Sequence, residues 1–161
     1  MADIRLIEVA GGDAALDEVE RLFRRMYDFL ERSGSSYALA PEGPALWRRS
    51  IERGLGRFSE LWMARDGERA IGFAHGAVRL SHPHDFFQPQ RVGFVTHIYV
   101  EPEYRSAAVG ERLMQKLEEW FKEKGAEAVE LNVLVRNEGA QRFYKRLGYE
   151  VDFVAMRKNL G

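Results

Sequence analysis

The chain contains no cysteine, and this absence removes several classes of protein at once. It can form no disulfide, carries no thiol nucleophile and offers no thiolate ligand to a metal. No apolar run approaches the length of a membrane span, and the opening Met-Ala-Asp-Ile-Arg lacks the apolar core of a signal peptide. The 24 basic and 25 acidic residues leave a net charge of −1, which gives no electrostatic case for binding nucleic acid or an anionic membrane. We therefore expect a cytoplasmic protein.

The remaining composition suits one globular domain spanning residues 1–161. Hydrophobic residues make up 45% of the chain, and this length is enough to bury a core. No internal repeat, linker or low-complexity segment interrupts it. Apolar periodicities predict the element order β-α-α-β-β-β-α-β-α-β. This is an α+β or mixed α/β fold, with one central mixed β-sheet flanked by helices.

The individual elements are predicted from apolar spacing and turn residues. Asp66-Gly67 predicts a hairpin, Asp13 can cap the first helix, and Gly125 ends a helix that runs from about Gly110 to Lys124. The predicted strands are Ile4–Val9, Leu61–Ala64, Ile71–Leu80, Val92–Val100, Val129–Val135 and Tyr149–Met156. Each of the first three helices should bury one apolar stripe. The predicted inward residues are Leu16, Val19, Leu22, Phe23, Met26 and Leu30 in the first helix, Trp47, Ile51, Leu55 and Phe58 in the second, and Leu113, Leu117, Trp120 and Phe121 in the third.

The segment Asn137–Tyr149 reads Asn-Glu-Gly-Ala-Gln-Arg-Phe-Tyr-Lys-Arg-Leu-Gly-Tyr and predicts a short helix. Asn137 is a good N-cap, since its side-chain oxygen can accept an amide of the first turn. Gly148 stands where a helix ends in a left-handed residue. The residues that form a single apolar stripe are Ala140, Phe143, Tyr144 and Leu147.

Upstream, the extended run Ile98–Pro102 leads through Arg105–Gly110 into a long amphipathic helix. The unpaired amides at a helix start, together with the helix dipole, favour an anion. Small residues let the oxygens of a diphosphate reach the backbone, and this segment supplies Ser106, Ala107, Ala108 and Gly110. A plain strand-to-helix turn is the alternative interpretation.

Together, the two segments resemble the GNAT superfamily of acyl-CoA-dependent N-acyltransferases. The family's loop motif, Arg/Gln-x-x-Gly-x-Gly/Ala, matches at Arg105 and Gly110, with Ala108 in place of its first glycine. If that position needs a positive φ, alanine costs roughly 1 kcal/mol or more there. The second motif, Asn-x-x-Ala-x-x-Phe/Leu-Tyr-x-x-x-Gly-Phe/Tyr, matches at Asn137, Ala140, Phe143, Tyr144, Gly148 and Tyr149.

The resemblance implies acetyl-CoA as co-substrate, with no metal. Backbone groups at Ile98 to Val100 would pair with the pantetheine arm much as an added strand does. Family members also use the asparagine equivalent to Asn137 near the cofactor arm, although an N-cap alone explains that residue. The implied cofactor-binding residues are Ile98, Tyr99, Val100, Arg105, Ser106, Ala107, Ala108, Val109, Gly110, Glu111, Asn137 and Tyr144.

The resemblance also implies that Tyr144 is the general acid that protonates the departing thiolate. An aromatic residue packed on the inner helix stripe is the alternative interpretation. For the base, the named candidate is His97, and a water chain to backbone carbonyls is the other possibility. His75 should lie opposite Thr96 or His97 in the sheet. Strand alternation would put Thr96 and His97 on opposite faces, with Val95 and Tyr99 on the side of His97.

By the same resemblance, two loops would wall the acceptor side: Ser33–Pro44, with Tyr37, and Ser81–Gln90, with Phe86 and Phe87. Asp28 and Glu31, near the end of the first helix, could attract a cation or belong to its solvated face. His82 and His84 have no firm third ligand, so no metal is expected there.

The leading hypothesis is an acetyl-CoA-dependent N-acetyltransferase in which a primary amine of a small molecule or peptide attacks the thioester directly. A non-catalytic acyl-CoA-binding or regulatory domain on the same fold is the alternative. An unrelated nucleotide-binding module is disfavoured, because neither its glycine-rich fingerprint nor a Walker loop is present. Relatives commonly finish with two strands, and one fits after Gly148. The resulting open sheet edge suggests a homodimer with contacts at Tyr149–Met156.

Overall fold

A computed structural model describes residues 2–80 and 86–161. A short 3-10 helix at Pro102–Tyr104 precedes the third α-helix. No helix in the described part of the chain is both long and apolar enough to cross a bilayer. The strands are β1 (Ile4–Glu8), β2 (Ser59–Asp66), β3 (Arg69–Leu80), β4 (Arg91–Val100) and β5 (Ala128–Leu131), and the helices are α1 (Leu16–Arg32), α2 (Gly43–Glu52), α3 (Val109–Glu123) and α4 (Glu138–Arg146).

The five strands form one mixed sheet in the order β1-β2-β3-β4-β5. The first four are antiparallel neighbours, and β5 runs parallel to β4. The predicted Asp66-Gly67 turn joins β2 to β3, and Gly67 has the positive φ (56°) that such a turn requires. The predicted mixed fold is thus confirmed.

Helices cover both faces of the sheet and create two separate cores. The predicted stripe of α1 is buried on one face together with Trp47 and Ile51 of α2 and Phe73 of β3. On the other face, α3 buries Leu113, Leu117 and Trp120 with residues of α4. The prediction that Phe58 points inward is wrong. Phe58 is exposed in the loop after α2, because the helix ends at Glu52.

Two glycines let α3 lie close to the sheet. A Cβ atom built on Gly76 would be 2.5 Å from the Phe121 ring, and one on Gly93 would be 2.3 Å from it. Real Cβ contacts are essentially never that short. The ring of Phe121 therefore occupies the space above β3 and β4 that side chains would otherwise fill, and this contact fixes α3 relative to the strand that carries the candidate site.

The strand predicted over Tyr149–Met156 does not form in the single chain. Tyr149 is fixed, since its amide donates to the Tyr144 carbonyl (3.0 Å) and its hydroxyl donates to Glu118 of α3 (3.1 Å). Residues 150–161 are exposed and belong to no helix or strand. Alternating side chains indicate strand potential, but a strand also needs a partner ladder, and none of the described strands pairs with this segment. The fifth strand also ends earlier than predicted, at Leu131.

Candidate active site

The central feature is a gap where β4 and β5 separate. The two strands pair only from Val92 to Val95 on β4, so the second half of β4 has no described strand on that side. The Glu101 amide donates to the Ile71 carbonyl of β3 (2.8 Å), which sets the phase of the ladder. Backbone direction alternates along a strand, so the amides and carbonyls of Ile98 and Val100 face the gap. This stretch can accept an extended ligand.

The loop after β4 leads to an uncapped helix start. Ala108 immediately precedes α3 in the left-handed conformation, with φ 56° and ψ 20°, and no side chain caps the helix. The first helical hydrogen bond runs from the Arg112 amide to the Ala108 carbonyl (3.1 Å). The three preceding amides, at residues 109–111, are therefore available, and the helix dipole adds positive character there.

Arg105 points away from this helix start. Its Nε donates to the Val100 carbonyl (3.0 Å), and its guanidinium lies 4.7 Å from the Phe29 ring centroid. The side chain thus holds the loop against β4 and α1. An anion at the helix start would meet backbone amides rather than this guanidinium.

A buried ion pair anchors the same loop at its beginning. The Glu101 carboxylate is 1% exposed. Arg25 of α1 reaches both of its oxygens, with Nε 2.6 Å from Oε1 and a terminal nitrogen donating to Oε2 at 2.8 Å. The Tyr99 hydroxyl donates to Oε2 as well (3.2 Å). Such bidentate geometry fixes where the strand ends and the loop begins.

Gly110 is a point of close approach between helices. A Cβ atom on it would lie 3.2 Å from Cζ of Phe143 in α4 and 3.8 Å from Val100. A larger residue would therefore press on α4, which carries Tyr144, rather than fill the space over the helix amides.

Tyr144 lies on the inner face of α4, as predicted. Asn137 caps the helix, its Oδ1 accepting from the Ala140 amide (3.2 Å), and Gly148 follows with φ 96°. Tyr144 is 9% exposed, and its hydroxyl has no hydrogen-bond partner among residues 2–80 and 86–161. Burial raises the pKa of Tyr144 to about 12, so the phenol keeps its proton throughout the neutral range. It is a protonated donor without an acceptor among the described residues.

Thr96 is an extra residue in β4 and overturns the predicted alternation. His75 is paired with His97 and Gly76 with Val95, so Thr96 forms a β-bulge. As a result, Thr96 and His97 project to the same side and contact each other, with Thr96 Oγ1 3.2 Å from His97 Nδ1. The bulge also shifts Val95 to the opposite core from Tyr99. The sequence pattern carries no mark of this inserted residue.

The bulge organises a chain of hydrogen bonds. The Thr96 hydroxyl donates to the His75 carbonyl (3.0 Å), and both histidine Nδ1 atoms lie within reach of its oxygen, at 2.5 Å for His75 and 3.2 Å for His97. The Tyr27 hydroxyl lies 3.4 Å from His97 Nε2. The donors and acceptors match when both imidazoles carry their proton on Nδ1 and Tyr27 donates to His97. His75 Nε2 is then a buried acceptor with no partner in the described structure.

Both histidines are neutral at physiological pH. Burial lowers the pKa of His97 to about 4, and burial together with the neighbouring His97 lowers the pKa of His75 to about 3. An unburied histidine has a pKa near 6.5. The low dielectric environment, invisible in the sequence, accounts for the difference.

His97 and Tyr144 lie on opposite faces of the sheet. His97 contacts the rings of Phe23, Tyr27 and Trp47, all from α1 and α2, at 5.1, 6.1 and 5.6 Å between centroids. Tyr144 belongs to the core under α3. The gap where β4 and β5 separate after Val95 opens toward both of these faces of the sheet. Sequence reasoning placed Trp47 inward but missed Tyr27, whose i+4 spacing from Phe23 was the available signal.

The residues predicted to lie on the acceptor side do not form one cluster in the described structure. Tyr37 and Phe86 are exposed, and Phe87 is partly so. His82 and His84 lie outside the described residues; within those residues, no group of three His, Cys, Asp or Glu side chains is placed to hold a metal. An open groove of about 510 Å³ beside α1 contains both predicted acidic residues, and it is lined by Arg25, Asp28, Phe29, Glu31, Arg32, Tyr99 and Pro102.

A family model for the acetyltransferase (GNAT) family matches residues 16–149. The chain belongs to the GNAT family. The match includes β4, the helix start at α3 and all of α4, which are the elements that form the gap. The predicted family resemblance is therefore confirmed.

Curated GNAT relatives match shorter stretches. An uncharacterized N-acetyltransferase of Methanocaldococcus jannaschii is 41% identical over 63 residues, covering 39% of this chain and 28% of the relative. A putative [ribosomal protein bS18]-alanine N-acetyltransferase of Bacillus subtilis is 40% identical over 65 residues, covering 40% and 42%. These matches thus span less than half the length of either relative.

Solved GNAT structures share the fold across nearly the whole chain. A mutant Bacillus halodurans protein superposes with a TM-score of 0.81 at 18% identity, covering 97% of this chain and 99% of that one. An aminoglycoside N-acetyltransferase solved with CoA, AAC(6')-Iy, gives a TM-score of 0.77 at 18% identity, covering 99% and 97%. At these identities, the likeness establishes the fold alone.

Proposed function

We propose that this protein transfers an acetyl group from acetyl-CoA to a primary amine, in a single complex that holds both substrates. The observation that carries the proposal is the gap between β4 and β5, with an uncapped helix start at one end and the hydroxyl of Tyr144, which has no described partner, on one face. No covalent enzyme intermediate is proposed, because the chain has no cysteine and no serine in a nucleophile motif.

The residues around the gap fit the co-substrate. Acetyl-CoA supplies an acyl thioester that an amine can attack. The gap-facing amide and carbonyl of Ile98 and the amide of Val100 would pair with its amide-containing arm, as an added strand would. The Val100 carbonyl already accepts from Arg105. The amides of Val109, Gly110 and Glu111 would receive the diphosphate, with Ser106, Ala107 and Ala108 leaving the approach open. The Tyr99 and Arg105 side chains would act indirectly, because both are occupied in holding the strand end and the loop.

Tyr144 is the proposed general acid. Its phenol is protonated at neutral pH and has no described partner to release before it donates a proton to the departing sulfur. Asn137 would support this role by capping the helix that carries the tyrosine, while its amide nitrogen remains available to the cofactor arm.

His97 is the proposed proton acceptor on the other face of the gap. Its imidazole is neutral, and Nε2 faces the Tyr27 hydroxyl. With a pKa of about 4 it is a weak base at pH 7, and its Nε2 lone pair already accepts from Tyr27, so direct abstraction is disfavoured. The amine's proton would instead pass through a water chain to the Tyr27 oxygen while the Tyr27 hydroxyl proton moves to Nε2. The Thr96 bulge fixes the ring by holding Nδ1. Proton removal and proton donation would thus occur on opposite faces of the sheet.

The acceptor is proposed to be a primary amine on a small molecule or a peptide. Two relatives and a structural neighbour are named as acetyltransferases of ribosomal protein alanine, of thialysine and of aminoglycosides. The groove beside α1 presents Asp28 and Glu31 next to Arg25 and Arg32, so it carries both charges. This arrangement suits an amine that also bears a polar or anionic group.

The test is thiol release from acetyl-CoA with a panel of amines, for the parent chain and two variants. Tyr144→Phe keeps the ring's packing and should lower turnover by on the order of a hundredfold to ten-thousandfold. Tyr149→Phe is the matched control, because it removes a nearby tyrosine hydroxyl that already donates a hydrogen bond to Glu118. In both variants CoA should still raise the melting temperature. The free energy of unfolding should rise by about 2.7 kcal/mol when CoA is at a hundredfold excess over its Kd.

The outcomes separate the two functional hypotheses. Thiol release that depends on an amine and on Tyr144 supports the enzyme. A CoA-induced thermal shift without thiol release for any amine would favour a non-catalytic acyl-CoA-binding domain instead. No shift with CoA would contradict both.

A further inference from the structure

Three buried polar atoms have no hydrogen-bond partner among the described residues, and they lie in one region, between α2 and the β2–β3 pair. The atoms are Trp47 Nε1, Ser59 Oγ and His75 Nε2. Ser59 and His75 are only 5% and 4% exposed. Buried polar groups in native proteins are nearly always hydrogen-bonded, either to protein or to ordered water. These three atoms therefore need a partner that the surrounding side chains do not supply.

The β2–β3 register places the three side chains around one space. Leu61 of β2 pairs with His75 of β3, and Ser59, two residues before Leu61, points to the same face of the sheet. A Cβ atom built on Gly54, in the turn after α2, would be 3.2 Å from Ser59 Oγ. The Trp47 ring stands perpendicular (82°) to the His75 ring, with 6.1 Å between the two centroids. All three side chains thus border the interior between α2 and the sheet.

The hydrogen-bonding capacities of the three groups are complementary. The indole N–H of Trp47 can only donate. His75 Nε2 is an acceptor in the tautomer that matches its bond to Thr96, in which Nδ1 carries the proton. The Ser59 hydroxyl can both donate and accept. Water also does both, so one molecule can bond to all three groups, and buried waters make about three such bonds.

We propose that a buried water molecule joins Trp47, Ser59 and His75, and that through it Trp47 acts as a positioning residue for His97. The water accepts from the indole N–H and donates to His75 Nε2, and the Ser59 hydroxyl provides its third bond. This arrangement keeps the His75 proton on Nδ1. The consequence for His97 rests on the proposed function, whereas the water site itself does not.

The water sets the direction of the hydrogen-bond chain that holds His97. With the His75 proton on Nδ1, the Thr96 oxygen accepts from both imidazoles, at 2.5 and 3.2 Å, and its own hydrogen goes to the His75 carbonyl (3.0 Å). The Thr96 hydroxyl is then fully used. His97 therefore keeps its proton on Nδ1, and its Nε2 lone pair faces the Tyr27 hydroxyl at 3.4 Å. The opposite His75 tautomer would turn the Thr96 hydrogen toward His75 and move the lone pairs that hold His97.

A crystal structure at a resolution that shows ordered water tests the site directly. Density for one water should lie about 2.7–3.2 Å from both Trp47 Nε1 and His75 Nε2. If no density lies between the two atoms, or if the indole N–H points at an aromatic ring instead, the water site is refuted.

Nitrogen NMR of the imidazoles tests the positioning role without any turnover. In the parent chain, His75 and His97 should both carry their proton on Nδ1. Trp47→Phe removes the indole N–H and should shift both histidines toward a mixture of tautomers. The control Trp62→Phe removes an indole N–H that donates to Glu60 (3.0 Å) on the other side of the sheet, and it should leave both tautomers unchanged. Tautomers that respond to neither variant, or equally to both, contradict positioning through Trp47.

Kinetics distinguish this inference from the proposed function. Trp47→Phe should lower kcat on the order of tenfold, a part of the roughly hundredfold or more that proton transfer contributes, while the KM for acetyl-CoA stays unchanged. A variant with altered tautomers and the kcat of the parent chain would refute the positioning role. A parent chain that acetylates no amine would refute the proposed function, and the crystal and NMR results would still decide the water site.

Discussion

Ala108 holds a conformation that glycine tolerates better, so Ala108→Gly should stabilise the fold. Its φ of 56° and ψ of 20° lie in the left-handed region, where an L side chain costs about 1–2 kcal/mol. Glycine gives back about 0.4–1 kcal/mol of that gain through its larger unfolded-state entropy. Ala108 is exposed, so little packing is lost. At the middle of these ranges the net gain should be about 0.8 kcal/mol, which at about 2–4 °C per kcal/mol raises the Tm of a chain of this size by about 2–3 °C.

The measurement is urea and thermal unfolding of Ala108→Gly beside Ala107→Gly. Ala107 is also exposed and lies in the same loop, but Ala108 is the non-glycine residue with positive φ in the described structure. Ala107→Gly should therefore destabilise by about 0.4–1 kcal/mol. The two variants should differ in sign. If both destabilise equally, Ala108 carries no conformational strain and the reasoning is refuted. Under the proposed function, CoA affinity should change little, since the helix amides stay where they are.

The buried histidines and the Glu101 ion pair give the remaining predictions. The folded pKa values of His97 (about 4) and His75 (about 3) lie below the unfolded value, so the unfolded chain binds more protons and stability is lost as pH falls from about 6.5. His97→Asn should flatten that loss in urea titrations; an unchanged slope would contradict it. Arg25→Met leaves a buried carboxylate uncompensated and should cost about 3 kcal/mol. Arg69→Met, which removes an exposed ion pair, should cost under about 1 kcal/mol.

The inward faces of α1 and α3 and the cap of α4 were predictable because they depend on local spacing. The stripe of α1, the four named residues of α3 and the Asn137 cap all rest on residues within one element. The uncapped helix start after Ala108 is local as well. Such features can be read from one segment at a time, because 3.6-residue periodicity and cap chemistry need no distant partner.

The features that sequence reasoning missed depend on distant partners. The Thr96 bulge exists because β3 and β4 are paired in a particular register, and the residues next to Thr96 in the sequence do not predict that register. The low pKa of His97 follows from rings on α1 and α2 that surround it. The strand predicted at Tyr149–Met156 has a suitable pattern, but no described strand supplies its ladder. In each case, the deciding interaction is with another part of the fold.

The division into two cores has a consequence for how this protein can be altered. His97 and its aromatic neighbours belong to the core under α1 and α2, whereas Tyr144 and the start of α3 belong to the other. Substitutions at well-separated sites with no shared partners usually have additive effects. Under the proposed function, Tyr27 and Trp47 could be repacked to admit a different amine while Arg25 and Phe29 of α1 stay in place and hold the loop after β4. A library confined to Tyr27 and Trp47 should then change acceptor choice without a matching change in CoA affinity.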